Sequence, residues 1–115
     1  MIRPSSYYGK DFGTGLIIGE HSSIGRYGYV GCSGQISIGN NVMIEPKSSL
    51  FAENHIFSDI KTPIKNQGVK QKGIIIEDDC WIGNNVVIID GVKIGKRSVI
   101  GAEHLLQKMF LQGVF

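Results

Sequence analysis

The chain contains few of the residues that build metal sites, disulfide scaffolds or membrane spans. Its 115 residues include two cysteines, three histidines and three prolines. Two cysteines far apart in the sequence favour two buried thiols over a disulfide. The histidines lack the spacing of metal ligands, so no metal is expected. No apolar run reaches the length of a membrane span and no secretory leader is recognisable, so we expect a cytoplasmic protein.

Charge is also sparse. Charged residues make up 19% of the chain and the formal net charge is +2. A charge this small and dispersed predicts neither a nucleic acid nor a membrane surface as a partner. The hydrophobic content of 42% is that of a globular protein.

What the chain does have is a six-residue period. A branched aliphatic residue returns at every sixth position late in the sequence: Ile76, Ile82, Ile88, Ile94 and Ile100. Small or β-branched residues follow four positions later: Cys80, Val86, Val92 and Ser98. This period matches neither a helix nor an ordinary strand and is typical of a parallel β-helix. We expect three hexads to close one triangular coil, with the aliphatic side chains inside and glycines at corners that need permissive backbone angles.

The period divides a single domain, 1–115, into five segments. They are an irregular N-terminus (1–11), the first coils (12–50), an inserted loop (51–73), the later coils (74–102) and an aberrant tail (103–115). The register slips by two residues at Gln35–Ser37, as a longer corner would require. A prism of so few coils buries little surface, so we expect several chains to associate.

His55 is the strongest candidate for a catalytic residue, because it lies in the one large insertion. Insertions in a solenoid form loops on one face, where function often resides. Histidine changes protonation near neutral pH and suits a general base that removes a proton from an attacking hydroxyl. Either Glu53 or Asp59 would fix its tautomer, and Asn54 would hydrogen-bond an acceptor. A merely solvated loop histidine is the alternative, which spacing alone does not exclude.

The remaining candidates lie on the repeats or in the tail. Trp81 follows a small interior residue, so its side chain should point outward, towards an interface or a stacked ligand. Lys96 and Arg97 occur late in the repeats, where a phosphate would be within their reach. We expect His21 to be a structural corner residue and assign no role to His104.

These features resemble the hexapeptide-repeat acyltransferases with a left-handed β-helix, in particular the sugar O-acetyltransferases of the maltose, galactoside and exopolysaccharide type. The resemblance covers most of the chain. It is carried by the hexads from 12 to 101, ENHIF at 53–57, QGVKQKG at 67–73 and DDCWIGNNVVIIDGVKIGKRSVIGA at 78–102. Hexads alone are shared with non-enzymatic β-helices. The histidine-bearing loop followed by CWIG is more discriminating.

The resemblance implies an all-β fold, a single-stranded left-handed parallel β-helix with one long loop. It implies a homotrimer with acetyl-CoA in the groove between neighbouring prisms. His55 would be the base in a direct transfer of acetyl to a hydroxyl of a sugar or polysaccharide precursor, with backbone N–H groups stabilising the oxyanion. The predicted coenzyme contacts are Trp81, Gly83, Gly101, Ala102 and Lys96.

The tail departs from the resemblance. After Ala102 relatives usually complete the last coil, whereas this chain reads EHLLQKMFLQGVF. Restoring one nucleotide to suitable codons would give Ala-Gly-Thr-Leu-Val-Thr-Lys-Asp-Val, so we expect a chain truncated or frameshifted after Ala102. Relatives also carry more sequence before the first coil, which makes an internal start at Met1 the alternative to a native one. The apolar residues of LLQKMFL stand at helix-like intervals. We therefore expect the tail to be irregular or to form a short helix.

Two other functions share the predicted fold. One is a catalytically impaired or non-catalytic β-helix protein, which the missing last coil would explain. The other is a metal enzyme like the γ-carbonic anhydrases, which needs several histidines converging at a subunit interface. The three scattered histidines argue against the metal enzyme.

Overall fold

The computed structural model describes residues 2–3, 6–7, 10–11, 15–107 and 110–115. These residues contain eighteen short strands and one 3₁₀-helix, Ile64–Asn66. The strands up to the inserted loop are β1 (Ile2–Arg3), β2 (Ser6–Tyr7), β3 (Lys10–Asp11), β4 (Leu16–Ile18), β5 (Ser23–Ile24), β6 (Tyr29–Gly31), β7 (Ile36–Ile38), β8 (Met43–Ile44) and β9 (Ser49–Phe51). Those that follow are β10 (Asn54–His55), β11 (Val69–Lys70), β12 (Ile74–Ile76), β13 (Trp81–Ile82), β14 (Val87–Ile89), β15 (Lys93–Ile94), β16 (Val99–Ile100), β17 (Leu105–Leu106) and β18 (Phe110–Leu111).

Three parallel sheets form the faces of a prism. Sheet I has the order β1-β6-β9-β14-β17, sheet II the order β18-β15-β12-β7-β4, and sheet III the order β16-β13-β8-β5. Each turn of the chain adds one strand to each sheet, as in β12-β13-β14 followed by β15-β16-β17. The predicted parallel β-helix is therefore confirmed. No helix in the described part of the chain has the length and apolar character needed to cross a bilayer.

The strand register stacks the aliphatic side chains in three interior rows. One row joins Ile38, Ile76 and Ile94, the second Ile44, Ile82 and Ile100, and the third Leu50, Ile88 and Leu106. All nine are at most 3% exposed. Ile18 pairs with Ile38, a separation of twenty residues, so the predicted two-residue slip is confirmed.

A second set of interior positions holds the small residues of the repeat. Cys80 and Ser98 are buried there, with Val42, Ser48, Val86 and Val92. The Ser98 hydroxyl donates to the Gly95 carbonyl at 2.7 Å and accepts the Gly113 N–H at 3.2 Å. These contacts satisfy a polar group that would otherwise be costly to bury. Both cysteines are buried as thiols, as expected.

The reason for the hexad glycines differs from the prediction. The corners do use left-handed backbone, but non-glycine residues adopt it, with φ between 57° and 67° at eight positions that include His21. Glycine is needed because neighbouring coils approach closely. A Cβ at Gly25 would lie 2.6 Å from the Pro46 nitrogen, and one at Gly83 would lie 2.7 Å from the Ala102 nitrogen.

The prediction of an irregular or short helical tail is wrong for the described residues beyond Ala102. β17 pairs in parallel with β14, and β18 pairs with β15. Leu106 is 3% exposed and lies six residues after Ile100, so the interior row continues past the point where the sequence motif ends. Hydrogen bonding to the preceding coil overrides the helix-like spacing of the leucines, because strand formation depends on the surface against which a segment packs.

The inserted loop leaves the prism after β9 and returns at β12. β10 and β11 pair antiparallel within it, with His55 opposite Val69. The loop thus contains a short hairpin whose two ends are joined to consecutive coils of the prism.

The interior rows predict a sharp contrast between two adjacent isoleucines of β12. Ile76 is 1% exposed, whereas Ile75 points outward and is 46% exposed. We expect Ile76→Ala to lower the free energy of unfolding by about 2–5 kcal/mol, because it leaves a cavity in the row. Ile75→Ala should change it by about 0.5 kcal/mol or less. Urea unfolding measures both, and equal effects would contradict the assignment of the rows.

Candidate active site

A groove runs along the corner where the chain passes from sheet III to sheet I. Three consecutive coils contribute equivalent stretches to its walls, and its volume is about 660 Å³. The lining residues are Glu45, Pro46, Lys47, Trp81, Gly83, Asn84, Val99, Ile100, Gly101 and Ala102. Four of the five predicted coenzyme contacts, Trp81, Gly83, Gly101 and Ala102, are therefore brought together. The fifth, Lys96, is exposed on the corner between sheets II and III and does not line the groove.

Trp81 forms the apolar wall of the groove. Its side chain points outward, as predicted, and is 49% exposed. The indole Nε1–H donates to Glu45 Oε1 at 3.1 Å, which ties the ring to the preceding coil. An aromatic face held by its polar edge is suited to packing against a flat or extended ligand.

The floor of the groove is backbone. Gly83 donates its N–H to the Ile100 carbonyl at 2.8 Å, and Gly101 donates to the Phe115 carbonyl at 2.6 Å. The absence of side chains at these two glycines lets the coils pack closely and leaves the main chain as the surface of the groove.

A second pocket, of about 360 Å³, surrounds His55. His55 is exposed and lies on β10, opposite Val69 of β11. The lining residues come from the loop, from the end of β14 and from the segment after β17: Asn54, His55, Phe57, Lys70, Lys72, Ile89, Asp90 and Gln107. The inserted loop therefore forms one wall of this pocket and the prism forms the other.

The three residues predicted to act beside His55 have different surroundings. Asn54 lines the pocket with it. The Glu53 carboxylate accepts a hydrogen bond from the Ser33 hydroxyl, which fastens the outgoing end of the loop to a corner of the prism. Asp59 does not line the pocket and organises the loop tip, accepting the Lys61 N–H at 2.9 Å and the Thr62 hydroxyl at 2.6 Å. The Thr62 hydroxyl, followed by the Lys61 N–H, lowers the pKa of Asp59.

Sequence reasoning missed Asp90. It is 1% exposed, and its carboxylate accepts N–H groups from the returning end of the loop, at Lys72 (3.0 and 2.8 Å) and Gly73 (2.7 Å). The signal was present in the six-residue register. Asp90 lies two residues after an interior aliphatic, at the position that Cys32 and Ala52 occupy in the first two coils, and a carboxylate is out of place in such a row.

The groove and the pocket border the same face of the prism. The groove-lining stretches immediately precede the strands of sheet I, and the prism wall of the pocket immediately follows them. A three-residue strand rises about 10 Å. An extended ligand that leaves the groove along this face would therefore run towards His55.

The other two histidines do not line the pocket around His55. His21 lies at a corner with φ 59°, and His104 is exposed, with Nδ1 3.0 Å from the Gly101 carbonyl. Within the described residues, no group of three or more His, Cys, Asp or Glu side chains is arranged to hold a metal ion.

Known proteins share both the repeat and the fold. Residues 73–103 match the family described as bacterial transferase hexapeptide (six repeats). The chain is 35% identical to the galactoside O-acetyltransferase of Lactococcus lactis over 74 residues, which cover 64% of this chain and 34% of that protein.

Two solved structures extend the similarity to nearly the whole chain. A hexapeptide-repeat acetyltransferase of Vibrio cholerae, complexed with acetyl coenzyme A, has a TM-score of 0.74 and 35% identity, over 90% of this chain and 54% of that one. A maltose O-acetyltransferase of Clostridium difficile has a TM-score of 0.74 and 28% identity, over 87% of this chain and 54% of that one. The chain thus spans about half the length of these structures and about a third of the galactoside enzyme. Together with the interior rows and the three parallel sheets, these similarities show that the chain carries the hexapeptide repeat of the bacterial transferases and folds as a left-handed parallel β-helix.

Proposed function

We propose that this chain forms the β-helical body of an acetyl-CoA-dependent O-acetyltransferase that acts on a hydroxyl of a sugar or polysaccharide precursor. The observation that carries the proposal is the arrangement around sheet I, with a Trp81-walled groove at one end of its strands and His55 at the other. The similar Vibrio cholerae acetyltransferase was solved with acetyl coenzyme A, which supports the choice of donor.

The groove suits the donor. Trp81 and Val99 provide apolar surface for the pantetheine arm, and the backbone at Gly83 and Gly101 allows close approach. Lys47 lies at the edge of the groove, where its ammonium group would meet a phosphate. The contact between Lys96 and the coenzyme stays a prediction.

In the proposed reaction His55 acts as the general base. Its imidazole takes the proton from the acceptor hydroxyl as the oxygen attacks the thioester carbonyl. The tetrahedral oxyanion accepts hydrogen bonds from backbone N–H groups, and its collapse expels the coenzyme A thiolate, which takes up the proton from the imidazolium. The acetyl group passes directly to the acceptor without an acyl-enzyme.

The pocket around His55 suits a polar acceptor with a ring. Phe57 presents a side chain that is 72% exposed, and sugar rings pack on such aromatic surfaces. Asn54 and Gln107 supply amide groups that both donate and accept hydrogen bonds. Named relatives that act on galactosides and maltose support a sugar acceptor.

We also propose that the active unit is a homotrimer with its sites between prisms. Sheet I, which lies between the groove and the His55 pocket, has outward apolar side chains at Phe51 and Leu105, which are 37% and 56% exposed. Packing prisms side by side would bury this apolar surface. It would also let the loop of one copy approach the groove of the next.

Replacing His55 tests its role as the base. We expect His55→Asn to lower kcat for acetyl transfer by about 10²–10⁴-fold, because the hydroxyl loses its proton acceptor, while acetyl-CoA binding is unchanged. Release of the coenzyme A thiol, measured with a panel of sugar acceptors, gives the rate. The control is His21→Asn at an exposed corner, where asparagine tolerates the left-handed backbone. A His55→Asn rate within a few-fold of the wild-type rate would refute the assignment, and an inactive wild-type chain would favour a non-catalytic β-helix.

Replacing Trp81 tests the groove. We expect Trp81→Ala to weaken acetyl-CoA binding by about tenfold or more, because the indole supplies much of the apolar wall. The matched control is Met43→Ala. Met43 is the ladder partner of Trp81, is 50% exposed against 49%, and does not line the groove. Isothermal titration calorimetry gives both affinities. Equal affinities for the two variants would place the coenzyme elsewhere.

A further inference from the structure

Asp90 is the one charged residue that is buried among residues 15–107 and 111–115. In the two earlier coils the same interior position holds Cys32 and Ala52, which are buried and small. A carboxylate is costly to bury unless hydrogen bonds replace its hydration. A small apolar residue would fill the position at no such cost, so packing of the prism does not explain the choice of aspartate.

Within the described part of the chain, the hydrogen bonds to the Asp90 carboxylate come from the returning end of the inserted loop. Its two oxygens accept the Lys72 N–H at 3.0 and 2.8 Å, and Oδ1 also accepts the Gly73 N–H at 2.7 Å. The next residue, Gly91, donates its N–H to the Gly73 carbonyl at 2.8 Å. Bonds from backbone N–H groups to a carboxylate are among the stronger hydrogen bonds of proteins, especially where water is excluded. The loop therefore rejoins the prism through a fixed, charge-assisted contact.

This contact lies close in sequence and in space to the His55 hairpin. Lys72 is two residues beyond β11, and β11 carries Val69, the ladder partner of His55. Asp90 and His55 also line the same pocket. The outgoing end of the loop is held separately, by the hydrogen bond from Ser33 to Glu53. Both strands of the hairpin are thus tied to the prism, and the returning strand is tied through Asp90.

We propose that Asp90 is a positioning residue that holds the β10–β11 hairpin, and with it His55, in place at the end of sheet I. This inference rests on the proposed function for its catalytic consequence, but the holding of the hairpin stands on the hydrogen bonds. Although Asp90 lines the pocket, it is 1% exposed and its carboxylate accepts the N–H groups of the loop, so we assign it no chemical step in the proposed reaction. It acts through the backbone of residues 72 and 73.

Hydrogen exchange and kinetics on the full chain test the proposal together. The variants are Asp90→Asn, which keeps the volume and one acceptor oxygen, and Asp90→Ala, which matches Ala52 of the earlier coil. We expect amide exchange in β10 and β11 to rise at least tenfold in Asp90→Ala and less in Asp90→Asn, with exchange in β13 and β16 unchanged. kcat should fall in the same order, by about 10–100-fold in Asp90→Ala, while the Kd for acetyl-CoA stays within twofold. Asp79→Asn, at an exposed corner, is the control and should leave all three quantities unchanged.

The outcomes separate this proposal from the proposed function. Unchanged exchange in the hairpin, or an equal rise throughout the prism, would overturn the role of Asp90. A selective rise in hairpin exchange with unchanged kcat would overturn its catalytic consequence. If the wild-type chain transfers no acetyl group but the exchange pattern is as expected, the proposed function fails and the anchoring of the hairpin by Asp90 stands.

Discussion

Stacking of one branched aliphatic side chain on the next, along three interior rows, is the contact on which the rest of the molecule depends. No coil can bury its own interior face, so each is stable only between neighbours. The parallel ladders then set the positions of all other residues, because a shift of one residue would turn the interior row outward. The groove follows from this register. Trp81 is outward because Ile82 is inward, and Gly83 lies against Ala102 because their coils are stacked.

The same register explains how the prism accommodates a large insertion. Ile38 and Ile76 are ladder partners in consecutive coils. The residues between them outnumber those of an ordinary coil, and most of the additional residues lie in the inserted loop. Closing a longer loop costs little, about 0.6 kcal/mol for each doubling of its length, so a stack with strong rows tolerates it. The loop is then free to carry residues that the repeat does not allow. What it needs is attachment at both ends, which Ser33 and Asp90 provide.

The six-residue period predicts much of the fold, because it is itself the geometry of the coil. It predicts the interior rows, the two-residue slip before Ile38, the outward Trp81 and the corner at His21. It does not predict the strands of the tail, because Leu106 has no following glycine and its neighbours suggest a helix. Nor does it give the reason for the glycines, since the distance from Gly25 to Pro46 depends on how the coils stack.

The site is less predictable than the fold. Gly83 and Gly101 occupy equivalent places one coil apart, and Trp81 and Ala102 flank the same interior row, so the convergence of the four follows from the period. Lys96 has a similar place in sequence but lies at a different corner, which the period alone does not distinguish. In the sequence alone Asp90 looks like a polar corner residue, and only comparison with Cys32 and Ala52, at the same position of earlier coils, marks it as interior. Its partners in the loop lie outside the repeat, so no periodicity predicts them.

The central proposal is that one face of the prism joins a groove for the coenzyme to His55, the proposed general base. A crystal structure of the chain with bound coenzyme A tests this most directly. The account predicts the pantetheine arm against Trp81 and Gly83, with its sulfur at the pocket of His55, from the same copy or an adjacent one. Coenzyme bound on another face, or with its sulfur remote from every His55, would contradict it.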